Sequence, residues 1–289
     1  MTNVELKNVS YTYGEGTPFE KKALDDVSVR FDGGIITGLI GHTGSGKSTL
    51  VQLLNGLNKP SAGKIFLNEY DIWSEPKKIR DVRFRVGLVF QYPEYQLFEE
   101  TVARDIAYGP TNMGLDSAEI ERRVSEAMIF CGLGDELREK SPFELSGGQK
   151  RRVAIAGIFA MEPEVLILDE PAAGLDPMGR EEILGGVWSY QRRKKSTVII
   201  VSHSMEDMAR YSDRIIVMNK SKIYMEGTRA EIFSRAVELI SVGLDVPQIT
   251  ALIHRLKSMG CIGRDDIFTV DDAVEEILNL LNSKGEKNC

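Results

Sequence analysis

The stretch Gly41-His42-Thr43-Gly44-Ser45-Gly46-Lys47-Ser48-Thr49 constrains this chain more than any other. It has the spacing Gly-x-x-x-x-Gly-Lys-Ser. Before it lies a short, nearly continuous apolar run, Ile35–Gly41; after it, Lys47–Leu57 has helical spacing with Gly56 as its stop. A buried strand that feeds a glycine-rich turn into a helix is the context this pattern requires. Glycines at 41, 44 and 46 let backbone N–H groups face phosphate oxygens, and the following helix points its positive end at the same anion. Lys47 is expected to reach the β- and γ-phosphates, Ser48 to ligate Mg²⁺ and Thr49 to support the α-phosphate, with Thr43 and Ser45 completing the nucleotide-binding loop. The ligand expected is ATP with Mg²⁺.

A second apolar strand, Val165–Asp169, ends in an acid. In a sheet buried on both faces its carboxylate emerges at the carboxyl edge, where ligands bind. Asp169 is the expected Mg²⁺ partner through water. Glu170 follows and can polarise the water that attacks the γ-phosphate, help worth about 10²–10⁴-fold in rate. His203 ends the next strand-like run, Thr197–His203, and is expected beside the same phosphate.

Strand patterns also appear at Val4–Tyr13, Ala23–Gly34, Gly63–Ile72, Val86–Gln91 and Arg214–Gly227. Residues from about 92 to 160 read as mainly helical, with Asp116 as a cap. Strands separated by helices predict an α/β fold with a mostly parallel core sheet, an antiparallel β region and a spliced helical insert. Residues 1–233 form the expected nucleotide-binding domain. Residues 234–289 form a small appendage of two amphipathic helices, the second opening with Thr269 and Asp272 in capping-box order.

Leu145-Ser146-Gly147-Gly148-Gln149 repeats the physics of the first loop: small residues, bare amides and a helix start, with Ser146 adding a hydroxyl. One chain has one γ-phosphate to hold, and the first loop already cradles it. The economical expectation is that the second loop closes on the nucleotide of another subunit, so that two chains bury two ATP molecules between them.

Together these motifs, in this order, make residues 3–233 similar to the ATP-binding cassette (ABC) ATPases, whose signature is LSGGQ. The resemblance implies the P-loop NTPase fold of that family. It implies that Tyr13 stacks on adenine, with Tyr11 the less favoured candidate. Gln91 becomes the residue that senses Mg²⁺ and the transporter partner. Asp176, in Ala173-Gly174-Leu175-Asp176, lies on the loop that crosses the dimer interface, and His203 is the switch histidine. Catalysis falls to Glu170, His203 and Lys47; Mg²⁺ binding to Ser48, Gln91 and Asp169; the signature, acting across the dimer, to Ser146, Gly147, Gly148 and Gln149.

Tyr92–Pro110, Arg151–Pro177 and the tail segment Gly243–Leu252 resemble the ATPase subunits of energy-coupling factor (ECF) transporters, importers of vitamins or transition-metal ions; Tyr13–Val27 resembles the second of their paired ATPases. The resemblance implies three partners: a second ATPase, paralogue or self; a transmembrane coupling protein; and a substrate-binding membrane protein. It implies a peripheral place on the cytoplasmic face of the cell membrane. The rival reading is a soluble ABC ATPase acting on nucleic acid or ribosomes. A net charge of −7 and a pI of about 5.3 disfavour a nucleic-acid partner, and long coiled-coil heptads are lacking.

No apolar run approaches the ~18–20 residues that cross a bilayer, and the first residues lack the basic-then-apolar order of a signal peptide. Three scattered cysteines (Cys131, Cys261, Cys289) predict a reducing compartment without disulfides. Two features stay open. The aromatic segment Tyr92–Phe98, with Leu97, either packs the helical insert or lines a groove for a partner helix. The tail face Ile249, Leu252, Ile253 and Leu256 either joins two ATPases or forms a lid on its own subunit.

Overall fold

The computed structural model describes residues 1–264 and 267–285; Cys289 lies outside the described residues. The chain runs β1 (Val4–Tyr13), β2 (Lys21–Phe31), β3 (Ile36–Ile40), α1 (Lys47–Leu54), β4 (Ala62–Leu67), β5 (Tyr70–Asp71), α2 (Ile79–Arg85), β6 (Val86–Val89), α3 (Val102–Asn112), α4 (Ser117–Phe130), α5 (Gly147–Ala160) and β7 (Val165–Asp169). It continues through α6 (Pro177–Lys194), β8 (Thr197–Val201), α7 (Met205–Tyr211), β9 (Arg214–Asn219), β10 (Lys222–Thr228), α8 (Arg229–Phe233), α9 (Ala236–Ser241), α10 (Gln248–Ser258) and α11 (Val270–Gly285).

The strands form two sheets. The first is antiparallel, in the order β2-β1-β4-β5; the second runs β10-β9-β3-β8-β7-β6, parallel except for its β9–β10 hairpin. The unbroken apolar runs of β3, β7 and β8 are buried at every position. Their alternation explains why. Leu166, Leu168, Val198 and Ile200 face one core, while Val165, Ile167, Ile199 and Val201 face the other. A strand covered on both faces has no use for polar side chains.

Three strands in the order β3-β8-β7, all parallel, bring their carboxyl ends to one edge. Leu39 and Asp169 both pair with Val201, so these ends are level. The loop after β3, the residues after β7 and the residues after β8 therefore meet. β6, beyond β7, delivers Gln91 to the same edge.

The helical insert α3–α5 lies between β6 and β7, within the stretch expected to be helical. Asp116 caps α4 by accepting the Glu119 N–H at 3.0 Å, worth ~1 kcal/mol. Ser146 caps α5 in a full capping box with Gln149.

The main core continues past residue 233 through Phe233, Leu239, Leu244 and Phe268, because α8 and α9 are too short to enclose a core of their own. A separate small cluster starts only at α10, where Ile253 meets Ile262, Ile267 and Ala273. Ile249 and Leu256 pack against that cluster; Leu252 stays exposed. The apolar face of α10 is thus mostly satisfied inside the chain by α11. A different stripe, Val270, Val274, Leu278 and Leu281 on α11, is exposed.

Candidate active site

The loop Gly41–Gly46 wraps tightly because its own chain demands it. Gly46 sits at φ 107°, and a Cβ there would meet the Ala23 carbonyl oxygen at 2.6 Å. Ser45 is buried beneath the loop, and its carbonyl accepts the Ser221 N–H. Gly41 lies against the Met218 carbonyl. Lys47, the first residue of α1, is buried and donates to the carbonyls of Gly41 at 2.6 Å and His42 at 3.1 Å. Burial lowers its pKa, while the carboxylates of Glu170 and Asp169 work the other way.

A cavity of about 300 Å³ opens above this loop. It is lined by Tyr13, Thr43, Gly44, Gly46, Lys47, Ser48, Thr49, Gln91, Asp169, Glu170 and His203, with Lys21 and Ala23 from β2. The Tyr13 hydroxyl lies 3.2 Å from Thr49 Oγ1, and its ring is partly exposed. Tyr11 instead packs on the second core and meets Tyr13 edge-on. Lys21 was not anticipated from sequence; it faces Tyr13 across the β1–β2 pairing, so the turn between those strands was the signal for it.

Asp169 ends β7 and is nearly buried; desolvation raises its carboxyl pKa, partly offset by a hydrogen bond from Ser48 and by the Lys47 charge. Glu170 follows in the left-handed region at φ 51°, held by its N–H to the Val201 carbonyl at 3.0 Å. That conformation costs ~1–3 kcal/mol and persists only where the surroundings impose it. Burial, then the neighbouring Asp169 charge, pushes the Glu170 pKa up to about 7. Its Oε1 is buried without a hydrogen-bond partner among the described residues and stands 3.4 Å from His203 Nε2. Burial and the Lys47 charge depress the His203 pKa, favouring the neutral ring. Behind the Glu170–His203 pair a second cavity of about 260 Å³ is lined by Ala173, Arg180, Ser202 and Asp207.

Among the described residues no cluster of three or more His, Cys, Asp or Glu could hold a metal. Mg²⁺ needs none. It keeps several waters and takes a few hard oxygens, supplementing them from a bound phosphate. The Ser48 hydroxyl, Asp169 carboxylate and Gln91 amide all line the one cavity and fit that donor set.

Ser146, Gly147, Gly148, Gln149 and Asp176 do not line this cavity. Ser146 and Gly147 are exposed, and Asp176 caps α6 by accepting the Gly179 N–H at 2.7 Å. A Cβ added at Gly147 would meet nothing within 4 Å, and one at Gly148 only Leu175 at 3.9 Å.

The sequence profile described as "ABC transporter" matches residues 24–173. The chain is also 54% identical to the "Energy-coupling factor transporter ATP-binding protein EcfA2" of Caldanaerobacter subterraneus subsp. tengcongensis, covering 99% of both chains. This chain belongs to the ABC transporter family. Within it, the chain is one of the energy-coupling factor ATP-binding proteins. The protein of the same name from Clostridium acetobutylicum is 54% identical, covering 97% of this chain and 98% of that one. The name EcfA2 that both relatives carry agrees with the resemblance of Tyr13–Val27 to the second of the paired ATPases. Among solved structures, cbiO1 from Clostridium perfringens, part of the ABC transporter complex cbiONQ, superposes with a TM-score of 0.74 at 38% identity over 87% of this chain and 98% of that one. A dimeric bacterial ABC transporter cassette gives 0.71 at 27% identity over 78% and 98%. The shared fold is therefore the ABC cassette.

Proposed function

We propose that this chain is the ATP-hydrolysing subunit of an energy-coupling factor importer, working as one half of a pair of cassettes that close on two ATP molecules. The observation that carries the pairing is the contrast between the cavity and the signature loop. The cavity collects phosphate-binding and hydrolytic groups but none of Ser146–Gln149. Meanwhile Gly147 and Gly148 are uncrowded and form the first two residues of a helix, where glycine is no better a helix former than alanine. Among the described residues, nothing approaches either position closely enough to require glycine. A nucleotide brought against α5 by another subunit does, because a bare backbone at a helix N-terminus accepts a close anion.

In this reading Tyr13 stacks on the base, Gly41–Gly46 and Lys47 hold the phosphates, and Ser48, Asp169 and Gln91 hold Mg²⁺. Bound Mg²⁺ neutralises charge developing on the phosphoryl oxygens. Glu170 orients and polarises the attacking water; its unpartnered Oε1 is free to accept that water's proton. His203, neutral and 3.4 Å from Glu170, can donate a ring N–H to the γ-phosphate. Asp176 reaches across the seam.

The partners are a second ATPase and membrane proteins that supply the path and the substrate specificity, which places the chain peripherally at the cytoplasmic face. No helix among the described residues is long and apolar enough to cross a membrane. The docking groove is a cavity of about 310 Å³ lined by Phe84, Leu97, Phe98, Tyr108, Ala154 and Ile158. We infer that the aromatic segment divides between packing and docking. Leu97 is buried in the main core, whereas Phe98 and Tyr95 are exposed. The tail's contact with the second ATPase falls on the exposed α11 stripe rather than on α10, since contiguous apolar surface on a helix marks an interface.

The test is hydrolysis by the ATPase pair carrying Ser146→Phe in both subunits' signature loops. Retained ATP binding with hydrolysis reduced about 100-fold or more is expected; unchanged hydrolysis would contradict the pairing.

A further inference from the structure

Arg151 is the fifth residue of α5, two residues after Gln149, and its side chain is 5% exposed. Its guanidinium makes a two-pronged pair with Glu94, Nε to Oε2 at 3.0 Å and Nη2 to Oε1 at 2.8 Å. Nη1 donates to the carbonyl of Ala173. The plane also stands over the ring of Tyr92, 5.6 Å from its centroid. Tyr92 takes left-handed backbone angles, φ 56° and ψ 56°, unusual for an aromatic residue and in need of outside support. Burial of Glu94 would raise its pKa, yet the hydrogen bonds from Arg151 hold it below the ordinary value.

These contacts join three segments that the chain keeps far apart. Tyr92 and Glu94 follow Gln91 and lead into the docking groove. Arg151 belongs to the helix whose N-terminus is the signature loop. Ala173 sits midway between Glu170 and Asp176, its N–H bound to the Glu170 carbonyl at 3.2 Å. A buried guanidinium with both partners in place resists separation, because removing any one leaves a desolvated charge without its match. Its planar fork also fixes direction, which an ammonium cannot do.

We propose that Arg151 is a positioning residue for hydrolysis: it locks the segment after Gln91, the signature helix and the Glu170–Asp176 segment into one body, so that a push on the docking groove moves the signature loop and the hydrolytic carboxylate together. The proposal rests on the paired-cassette reading. Arg151 touches no nucleotide; it acts through the segments it holds.

The experiment uses the assembled importer in vesicles, comparing Arg151→Met, Arg151→Lys, Glu94→Gln and the Arg151→Met/Glu94→Gln double variant. Arg151→Met should lower kcat about tenfold or more with KM for ATP within about twofold, since misplacement of reacting groups falls on the chemical step rather than on ground-state binding. Substrate uptake per ATP should fall as well. Arg151→Lys, which keeps charge and loses the fork, should recover only part of kcat. Glu94→Gln should show the same kcat-only pattern, and the double variant should be no worse than Arg151→Met, as expected for two groups acting through one contact. Normal kcat in Arg151→Met per folded molecule, or a loss that merely tracks thermal stability across all four variants, would overturn the proposal. The Ser146→Phe assembly separates the two levels. Full hydrolysis there removes the seam itself; hydrolysis lost there but normal in Arg151→Met removes only the role of Arg151.

Discussion

Two glycine-rich loops each open a helix in this molecule, and they differ in why they need glycine. At Gly46 the reason is internal: a positive φ and a carbonyl oxygen 2.6 Å from where a Cβ would sit. At Gly147 and Gly148 the surroundings within the chain are open, and the residues lie on a regular helix. The first loop is shaped by the protomer and would hold its form alone. On the proposed reading, the second is shaped for a nucleotide carried by another subunit. The difference teaches that a glycine's cause can be internal or external, and that the external kind marks a working surface.

The largest expected effect separates closing from cleaving. Glu170→Gln should bind ATP normally, lose about 10²–10⁴-fold in steady-state hydrolysis and accumulate the closed pair, measured by turnover and by sedimentation with ATP. Near-normal turnover would take Glu170 out of its assigned role. The comparison between loops is tested by a matched pair of alanines. Gly46→Ala should destabilise the fold by ~1–3 kcal/mol and abolish nucleotide binding, because it forces a side chain into a strained, occupied position. Gly148→Ala should leave stability unchanged or raise it by up to ~1 kcal/mol through helix propensity. Its hydrolysis should nevertheless fall. Calorimetry beside turnover reads both, and equal destabilisation by the two variants would erase the distinction.

The same logic extends to the groove. Leu97→Ala should cost ~2–4 kcal/mol, as deletion of a buried core side chain does. Phe98→Ala, exposed and edge-on to Tyr108 at 4.9 Å, should leave stability and the hydrolysis of the detached ATPase pair within about twofold while lowering uptake. A Phe98→Ala importer with normal uptake would return that residue to simple packing.

Much of this was legible in the sequence because local physics and global fold agree there. The apolar runs at Ile35–Gly41, Val165–Asp169 and Thr197–His203 became the buried strands β3, β7 and β8, and their parallel order carries the motif residues to one edge. Asp116 caps α4. What was not legible shares one cause: periodicity reports that a face is apolar, not what covers it. Ile249, Ile253 and Leu256 read the same whether they meet another subunit or, as found, the chain's own α11. Leu97 and Phe98 are adjacent in an aromatic segment, yet one enters the core and the other faces outward. Arg151 looked like one of several basic residues after the signature, and nothing in the spacing placed Glu94 and Ala173 against it.

The most direct measurement is photolabelling of the assembled ATPase pair with an ATP analogue reactive at its γ-phosphate. Lys47→Ala is introduced in this chain only, so that its own first loop cannot hold the probe. The account predicts that Ser146–Gln149 of this chain is still labelled, and that labelling disappears when the other subunit's phosphate loop is disabled instead. Labelling that vanishes with this chain's own Lys47 would contradict it.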